Sequence, residues 1–478
     1  MGAALALMLW PALLNGFPIV FFDTGGYIEA AVSRELVDGR SLVYGLFLQV
    51  TSLNWHSLWG PVLVQAGITL WLLRTLYRGL TGADAPRGGP VLLAIVALLS
   101  VFTGMAWYTA QLMPDLMIPL VVAALWLLAF RWNGLSRWTR GGLAAVALLG
   151  LMSHMSCMAL GAGLVAVLAA MKLLGLIGRP RSWAALRLVP AAAVVAGSVL
   201  LLPAINGLVA GEAQLTPGGP MFLFGSLLQQ GQVRRLLDDR CPADPKAYTL
   251  CPYRHRLPGT ADDFLWSGDS PLVALGGWDD MAPEAARVNM AVVRGYPLAL
   301  ALSSLQAGVE QFFRFRTGDG LDEYHDSTRQ VMHDFLAPLE PAYLRADQQS
   351  EGPTPGMAEL SNHLAVPAGF AALAVLALLL PQAVRRRDGV ALGALVFLWA
   401  ALAGNAFICG ALSNPHNRYQ NRLVWLAPLF AVAIAGRLRA GSKAGAGAAA
   451  PLITPDILIP ETLAVEMAAI EGAPASSS

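Results

Sequence analysis

Apolar residues run in blocks along this chain, and many blocks approach the roughly 17 to 25 residues needed to cross a hydrocarbon core of roughly 30 Å. They occupy 3–22, 58–77, 91–110, 116–130, 142–152, 158–176 and 188–209, then 363–380, 390–409 and 423–434 after a long polar stretch. The pattern predicts an all-α membrane protein of about ten transmembrane helices. The block at 142–152 is the weakest, and its helix is expected to begin in the preceding loop or run past Ser153. The first block is broken by Pro11, Asn15, Gly16 and Pro18 and lacks the charged n-region and cleavage site of a signal peptide, so it is read as a retained helix.

The polar intervals differ in kind. Residues 23–57 mix Glu29, Arg34, Glu35, Asp38 and Arg40 with Leu, Val and Phe, a composition that predicts amphipathic helices along the membrane surface. Residues 211–362 are rich in Asp, Arg, Pro, Trp and Gly and long enough for a small outward-facing domain inserted before the last three spans. Within that stretch, 296–309 is apolar but short, contains Pro297 and lies between Arg294 and Glu310; it is expected as an interfacial or domain-core helix. The organisation read from the pattern is a bundle over 1–210 with its first loop at 23–57, a domain over 211–362, further spans over 363–437 and a disordered tail over 438–478. No internal repeat is visible, which gives no support to an inverted-repeat transporter.

Composition agrees with the pattern: only 13% of the 478 residues are charged and 56% are hydrophobic, against roughly 25% charged in soluble domains. The net charge of +1 says nothing about nucleic acid, and no basic cluster of the kind a nucleic-acid reader carries is present, so no nucleic-acid partner is expected. Where the charges fall is informative. Arg74, Arg78 and Arg87 follow the second block, Arg131, Arg137 and Arg140 the fourth, and Lys172, Arg179, Arg181 and Arg187 the sixth. Arg385, Arg386 and Arg387 follow the eighth block, and Arg437, Arg439 and Lys443 the tenth. Positive charge stays cytoplasmic, so the expected topology is multi-pass in a bacterial inner membrane with both termini inside and 211–362 outside. Cys157 and Cys409 lie at block ends as small buried residues, whereas Cys241 and Cys251 share a polar loop and are expected to form a disulfide in an oxidising compartment. Metal ligation by that pair is the alternative, but no close His or Cys supports it.

Candidate chemistry gathers at the outward ends of the blocks. Asp23 leaves the first block before Gly25-Gly26-Tyr27; a carboxylate at the mouth of an apolar bundle suits a general base, and Asp is equally a favoured helix N-cap. Asp115, after Trp107 to Pro114, and His154, between the fifth and sixth blocks, face the same side. Each has an ordinary role as a cap or a satisfied polar group; together with Asp23 they are candidate ligands for a divalent cation (Mg or Mn), or for phosphate and sugar. The last outward loop holds Asn414-Pro415-His416-Asn417-Arg418-Tyr419-Gln420-Asn421-Arg422. Its arginines suit paired hydrogen bonds to a phosphate, and interfacial anchoring by Arg, Tyr and Trp is the plain alternative.

Asp23 directly after the first span, amphipathic first-loop helices, Asp115 in the second outward loop and a late Arg418-Tyr419 motif together resemble the GT-C superfamily of membrane glycosyltransferases. The architectural resemblance covers 3–437, while the motif resemblance is confined to those residues. Many members carry paired acids in the first loop; here Thr24 and Gly25 follow Asp23, a departure that bears on metal dependence. The resemblance implies sugar transfer from a polyprenyl-phosphate carrier to an acceptor on the outward face, with Asp23 as base. It further implies that Arg418 and Arg422 stabilise the leaving phosphate and that no soluble nucleotide cofactor is needed; Tyr27, Asp115, His154, His416 and Tyr419 complete the candidate set around substrate and phosphate. Two other classes remain open: a transporter or flippase of a lipid-linked or anionic solute, and a noncatalytic polysaccharide-assembly protein. A transporter places ionisable groups near the bilayer midplane, and the block centres here are almost free of them.

Overall fold

The computed structural model describes residues 1–82, 89–178, 180–324, 327–350 and 352–444. Among these there is no strand, only isolated bridges pairing Ile19 with Gln111 and Val37 with Arg40. Among the described residues five helical stretches are long and apolar enough to cross a membrane: Met155–Leu176, Leu188–Ala210, Thr354–Arg385, Gly389–Leu412 and Asn417–Ala440. The architecture is that of a multi-pass membrane protein, and Met1–Leu438 forms one compact unit. Residues 445–478, most of the expected disordered tail, lie outside the described residues.

Helix α1 (Gly2–Asn15) stops short of its apolar block because Gly16 turns left-handed, at φ 74°, and Pro18 cannot continue the helix. Residues 16–22, predicted as helix, are instead pinned as a non-helical segment. Ile19 N donates to Ala110 O at 3.0 Å, and Gln348 brackets Val20 from both sides, accepting from its N–H at 3.1 Å and donating to its carbonyl at 2.9 Å. The first-loop helices α2 (Thr24–Ser33) and α3 (Leu42–Thr51) pack on each other so closely that a Cβ at Gly45 would meet Tyr27 O at 2.2 Å. Tyr27, Ile28, Tyr44 and Leu48 belong to the main core, so these helices are built into the bundle rather than resting on a surface.

Helices α4 (Trp59–Thr81), α5 (Gly89–Phe102), α6 (Met105–Thr109), α7 (Met117–Phe130), α8 (Arg137–Ser153), α9 (Met155–Leu176) and α10 (Leu188–Ala210) complete the first half. The block at 91–110 splits into α5 and α6 at Gly104, where a Cβ would lie 2.6 Å from Asn421 Nδ2. The central helix is α7, buried from Met117 to Ala129. The weak block at 142–152 does begin in the preceding loop, where Ser136 Oγ caps α8 by accepting from Thr139 N at 3.1 Å.

The polar stretch divides in two. Helices α11 (Gly219–Gln229), α12 (Gln232–Arg240), α13 (Ala261–Trp266), α14 (Pro271–Ala274) and α15 (Gly277–Gly295) enclose their own core of Met221, Phe224, Leu237, Phe264, Met281 and Val288. Cys241 and Cys251, 2.07 Å apart at sulfur, close a loop at its edge. After α16 (Pro297–Phe312), helices α17 (Ser327–Leu336) and α18 (Glu340–Leu344) join the main core through Met332 and Tyr343. The chain ends in α19 (Thr354–Arg385), α20 (Gly389–Leu412), α21 (Asn417–Val424) and α22 (Leu426–Ala444). Residues 413–417 fold back into the bundle, so that Asn405 Nδ2 donates to Tyr419 O at 2.7 Å and Gln420 Nε2 to Leu402 O at 3.2 Å.

Candidate functional site

Termination of α1 at Gly16 and the fold-back before α21 bring opposite ends of the chain together. Asp23 takes the N-cap position of α2 but makes no capping hydrogen bond. Its carboxylate turns away from the helix, with Oδ1 2.5 Å from Arg40 Nη2 and Oδ2 3.6 Å from Arg418 Nη1. The expected apolar mouth is therefore a seat between two guanidinium groups. Arg40 reaches it because Gly39 turns left-handed and because Gly26 offers no Cβ, which would lie 2.9 Å from Arg40 Cγ. Arg418 packs over two rings, 4.1 Å from the centre of Phe21 and 4.8 Å from that of Tyr419, and its Nη2 donates to Tyr419 Oη at 3.2 Å. Its backbone N–H donates to Asp319 Oδ2 at 3.0 Å, whereas its buried Nη1 has no hydrogen-bond partner.

A second group sits deeper. Arg422 is fully buried; Nη1 donates to Asp115 Oδ1 at 3.0 Å, and Nη2 is shared by Ser156 Oγ at 3.0 Å, Asn405 Oδ1 at 3.4 Å and Cys409 Sγ at 3.2 Å. Ser156 links this group to His154, whose Nδ1 accepts from Ser156 N at 3.2 Å and lies 2.8 Å from Ser156 Oγ. An acceptor at Nδ1 leaves the proton of the neutral ring on Nε2. Burial, and then the Arg422 charge, hold His154 down at about 3, so the ring is neutral at ordinary pH. Tyr27 is also buried there, its phenol pushed far above its usual range by burial and by Asp23.

A third group joins the loop to α13. His416 Nε2 lies 3.1 Å from Asp262 Oδ2, and Nδ1 lies 3.6 Å from Asp319 Oδ2. Burial opposes its charge, but the hydrogen bonds to Asp262 and Asp319 outweigh it and push His416 up to about 10. Both carboxyls in turn stay below their usual range, burial being outweighed by His416 and, at Asp319, by the Arg418 N–H.

Two cavities of about 380 Å³ each meet at Asp23, Arg40, Arg418 and Tyr419. One is mainly apolar and runs past Tyr27, His154, Met155, Ala159, Ile408 and Leu412. The other is lined by Asp262, Asp319, Asp322 and His416 together with Phe22, Trp266 and Tyr324. Asp23 and Arg418 form part of the wall between them.

Of the residues singled out from sequence, Asp23, Arg418 and Tyr419 line both cavities, Tyr27 and His154 the apolar one and His416 the acidic one. Asp115 reaches only a space of about 20 Å³ beside Arg418. Arg422 lines neither cavity, and its expected direct contact with a phosphate gives way to a buried ion pair. Among the described residues no three His, Cys, Asp or Glu side chains are placed to hold a metal ion, so Asp23, Asp115 and His154 do not form one ligand set. Arg40, Asp262, Asp319 and Ser156 are site residues that the sequence reading does not single out. Only Asp319 carried a local signal, the Gly318-Asp319-Gly320 turn with both glycines at positive φ. In comparisons with known proteins, no family model, no curated protein and no solved structure matches the chain.

Proposed function

We propose that the protein is a membrane glycosyltransferase that moves a sugar from a polyprenyl-phosphate carrier to an acceptor, in the manner of the GT-C superfamily it resembles. The observation that carries this reading is the shared wall: a carboxylate and a guanidinium with a spare donor stand where an apolar cavity meets an acidic, aromatic one. The apolar cavity suits a lipid-linked donor, its phosphate at Arg418 and Arg40. The other suits a polyhydroxylated acceptor, which carboxylates bind by accepting hydrogen bonds and aromatic rings by stacking.

In the reaction, the Asp23 carboxylate takes the proton of an acceptor hydroxyl as that oxygen bonds to the anomeric carbon. The bond from that carbon to the carrier phosphate breaks, and its electron pair leaves with the phosphate, whose added charge Arg418 stabilises. Neutral His154 donates from Nε2 to the donor. In this reading the ten-span topology places both termini in the cytoplasm and the site on the outward side of a bacterial inner membrane, with α11 to α15 in the periplasm.

The test is transfer of a labelled sugar from a polyprenyl-phosphate donor to cell-envelope acceptors by the purified protein. Asp23→Asn is expected to retain donor binding while lowering turnover by about 10²-fold or more. Full activity in a folded Asp23→Asn variant overturns the role of Asp23. Movement of the donor across vesicles without release of polyprenyl phosphate overturns the transferase in favour of a flippase.

A further inference from the structure

The apolar segment at 296–309 is helical as α16, and its chemistry is inverted relative to a domain-core helix. Leu298, Leu302, Leu305, Val309 and Phe313, which follow one another at spacings of three or four residues along one face, each expose more than half of their surface. The opposite face, with Ser304, Ala307, Gly308 and Gln311, is the buried one. A third flank carries Ser303, Gln306 and Glu310 and lines a polar cavity of about 230 Å³.

The path of α16 shows what borders the exposed stripe. The chain bends by 105° between α15 and α16. From there α16 runs antiparallel to the membrane-length helix α20, with contacts that step steadily along it. A Cβ at Gly410 would meet Ala307 O at 2.4 Å, one at Gly308 would meet Phe407 Cα at 3.3 Å, and Phe312 stacks on Trp399 at 6.2 Å. Trp399 lies thirteen positions before Leu412, about 20 Å along the helix axis. After Phe312 the chain turns back along α19. Phe315 packs on Phe370 at 4.8 Å, Thr317 exchanges hydrogen bonds with Asn362 at 2.6 and 2.9 Å, and a Cβ at Gly318 would meet Ala358 at 2.9 Å. Because α19 and α20 are antiparallel neighbours joined at Arg386–Asp388, the segment enters and leaves at the same end of the pair. At its end the stripe meets exposed Phe370 of α19, which stacks on Phe313 at 6.4 Å.

We infer that α16 and residues 313–318 form a re-entrant hairpin whose apolar stripe is covered by lipid acyl chains of the leaflet on the side of the Asp23 site. Re-entrant backbone is tolerated at membrane depth where protein or a polar cavity satisfies it. Here Asn362 does so on the protein side for both backbone groups of Thr317, and Asn417 Oδ1 accepts from Arg316 N at 3.1 Å, while Gln311 of α16 holds the His416 loop by accepting from His416 N at 2.8 Å and donating to His416 O at 2.7 Å. The exposed Glu310 and Arg314 are paired with each other, and Glu310 borders the polar cavity rather than the stripe. The bilayer thereby seats the helix that holds the His416 loop. A hairpin of this kind adds no crossing, so it leaves Arg385–Arg387 on the side that the ten-span count assigns.

Single spin labels at Leu298, Leu302, Leu305 and Val309, introduced as cysteines in the full-length protein in liposomes, test the inference. The native cysteines are buried or paired and take up no label. Oxygen is expected to relax the stripe labels more than a water-soluble nickel chelate does, increasingly from position 298 to 309, while a label at Gln306 favours the chelate. Preference for the chelate along the stripe, which marks a water-facing helix, overturns the inference. So does protection from both reagents, which marks a protein partner, or a depth that does not change along the helix, which marks a helix lying in the interface.

Discussion

Arg418 and Arg422 lie one turn apart on α21, and their surroundings are opposite. Arg422 is completely buried, with both terminal nitrogens on oxygen and sulfur acceptors and Asp115 balancing its charge; its Nε has no partner, but it lines neither cavity. Arg418 packs over two rings, stands 3.6 Å from a carboxylate and has an Nη1 that nothing accepts from. A guanidinium whose donors are mostly spent on protein acceptors is scaffold. One packed over aromatic rings, with a donor left over beside a cavity, is ready for an anion. Composition alone makes the two residues equivalent; the acceptors around them assign different work.

The sharpest way to break that distinction is to remove each arginine in turn. Arg422→Ala leaves the Asp115 carboxylate buried without its partner, a loss of about 3–5 kcal/mol in a site of this kind. Thermal unfolding in detergent is expected to drop steeply for this variant and to stay close to wild type for Arg418→Ala. Equal losses would show that both arginines are scaffold.

Activity sharpens the same contrast from the other side. Arg418→Ala removes the donor proposed to face the developing phosphate charge, and a loss of about 10²-fold in turnover is expected. Arg418→Lys recovers only part of this, because an ammonium cannot pack over Phe21 and Tyr419 while pointing a second donor at the cavity. Complete rescue by lysine would reduce the role of Arg418 to charge alone. A smaller effect follows at Ser156, which passes the Arg422 group's order on to His154. Ser156→Ala deletes one hydrogen bond to Nδ1, a change of about 1 kcal/mol, and nitrogen NMR of His154 should then show the two neutral tautomers in exchange. A single unchanged tautomer would leave the Ser156 N–H as sufficient.

Much of the fold was legible because apolar blocks of helical length leave few alternatives, and each block coincides with a helix over most of its length. The Cys241–Cys251 pairing was legible for a similar reason: two cysteines sharing one short polar loop have few other partners. The breaks were harder. Asn15, Gly16 and Pro18 announce that α1 stops, but what holds the following segment is Gln348, far along the chain. Residues 417–422 looked like an exposed polar loop because nearly every side chain there is polar. They form a helix most of whose polar groups are satisfied inside the bundle, by Asn405, Asp115 and Asp319 among others, with Arg418 Nη1 and Arg422 Nε left over. Arg40, Asp262 and Asp319 were invisible as site residues because their meaning lies wholly in partners remote in sequence.

The mildest prediction concerns His416, which ties the loop carrying Arg418 to α13 through Asp262 and Asp319. Its folded value of about 10 lies above the ordinary value of 6.5, so the charged ring favours the folded state. The contribution is complete below about pH 6.5 and is lost as pH rises toward 10. In His416→Gln that contribution is absent at every pH, while the titration of other groups is shared with wild type. The difference in unfolding temperature between the two proteins should therefore be largest near pH 6 and shrink steadily to pH 10. A wild-type advantage over His416→Gln that stayed flat from pH 6 to pH 10 would mean that the ring's shape, rather than its charge, holds the loop. It would also place His416 with the scaffold rather than with the side of the site that responds to its surroundings.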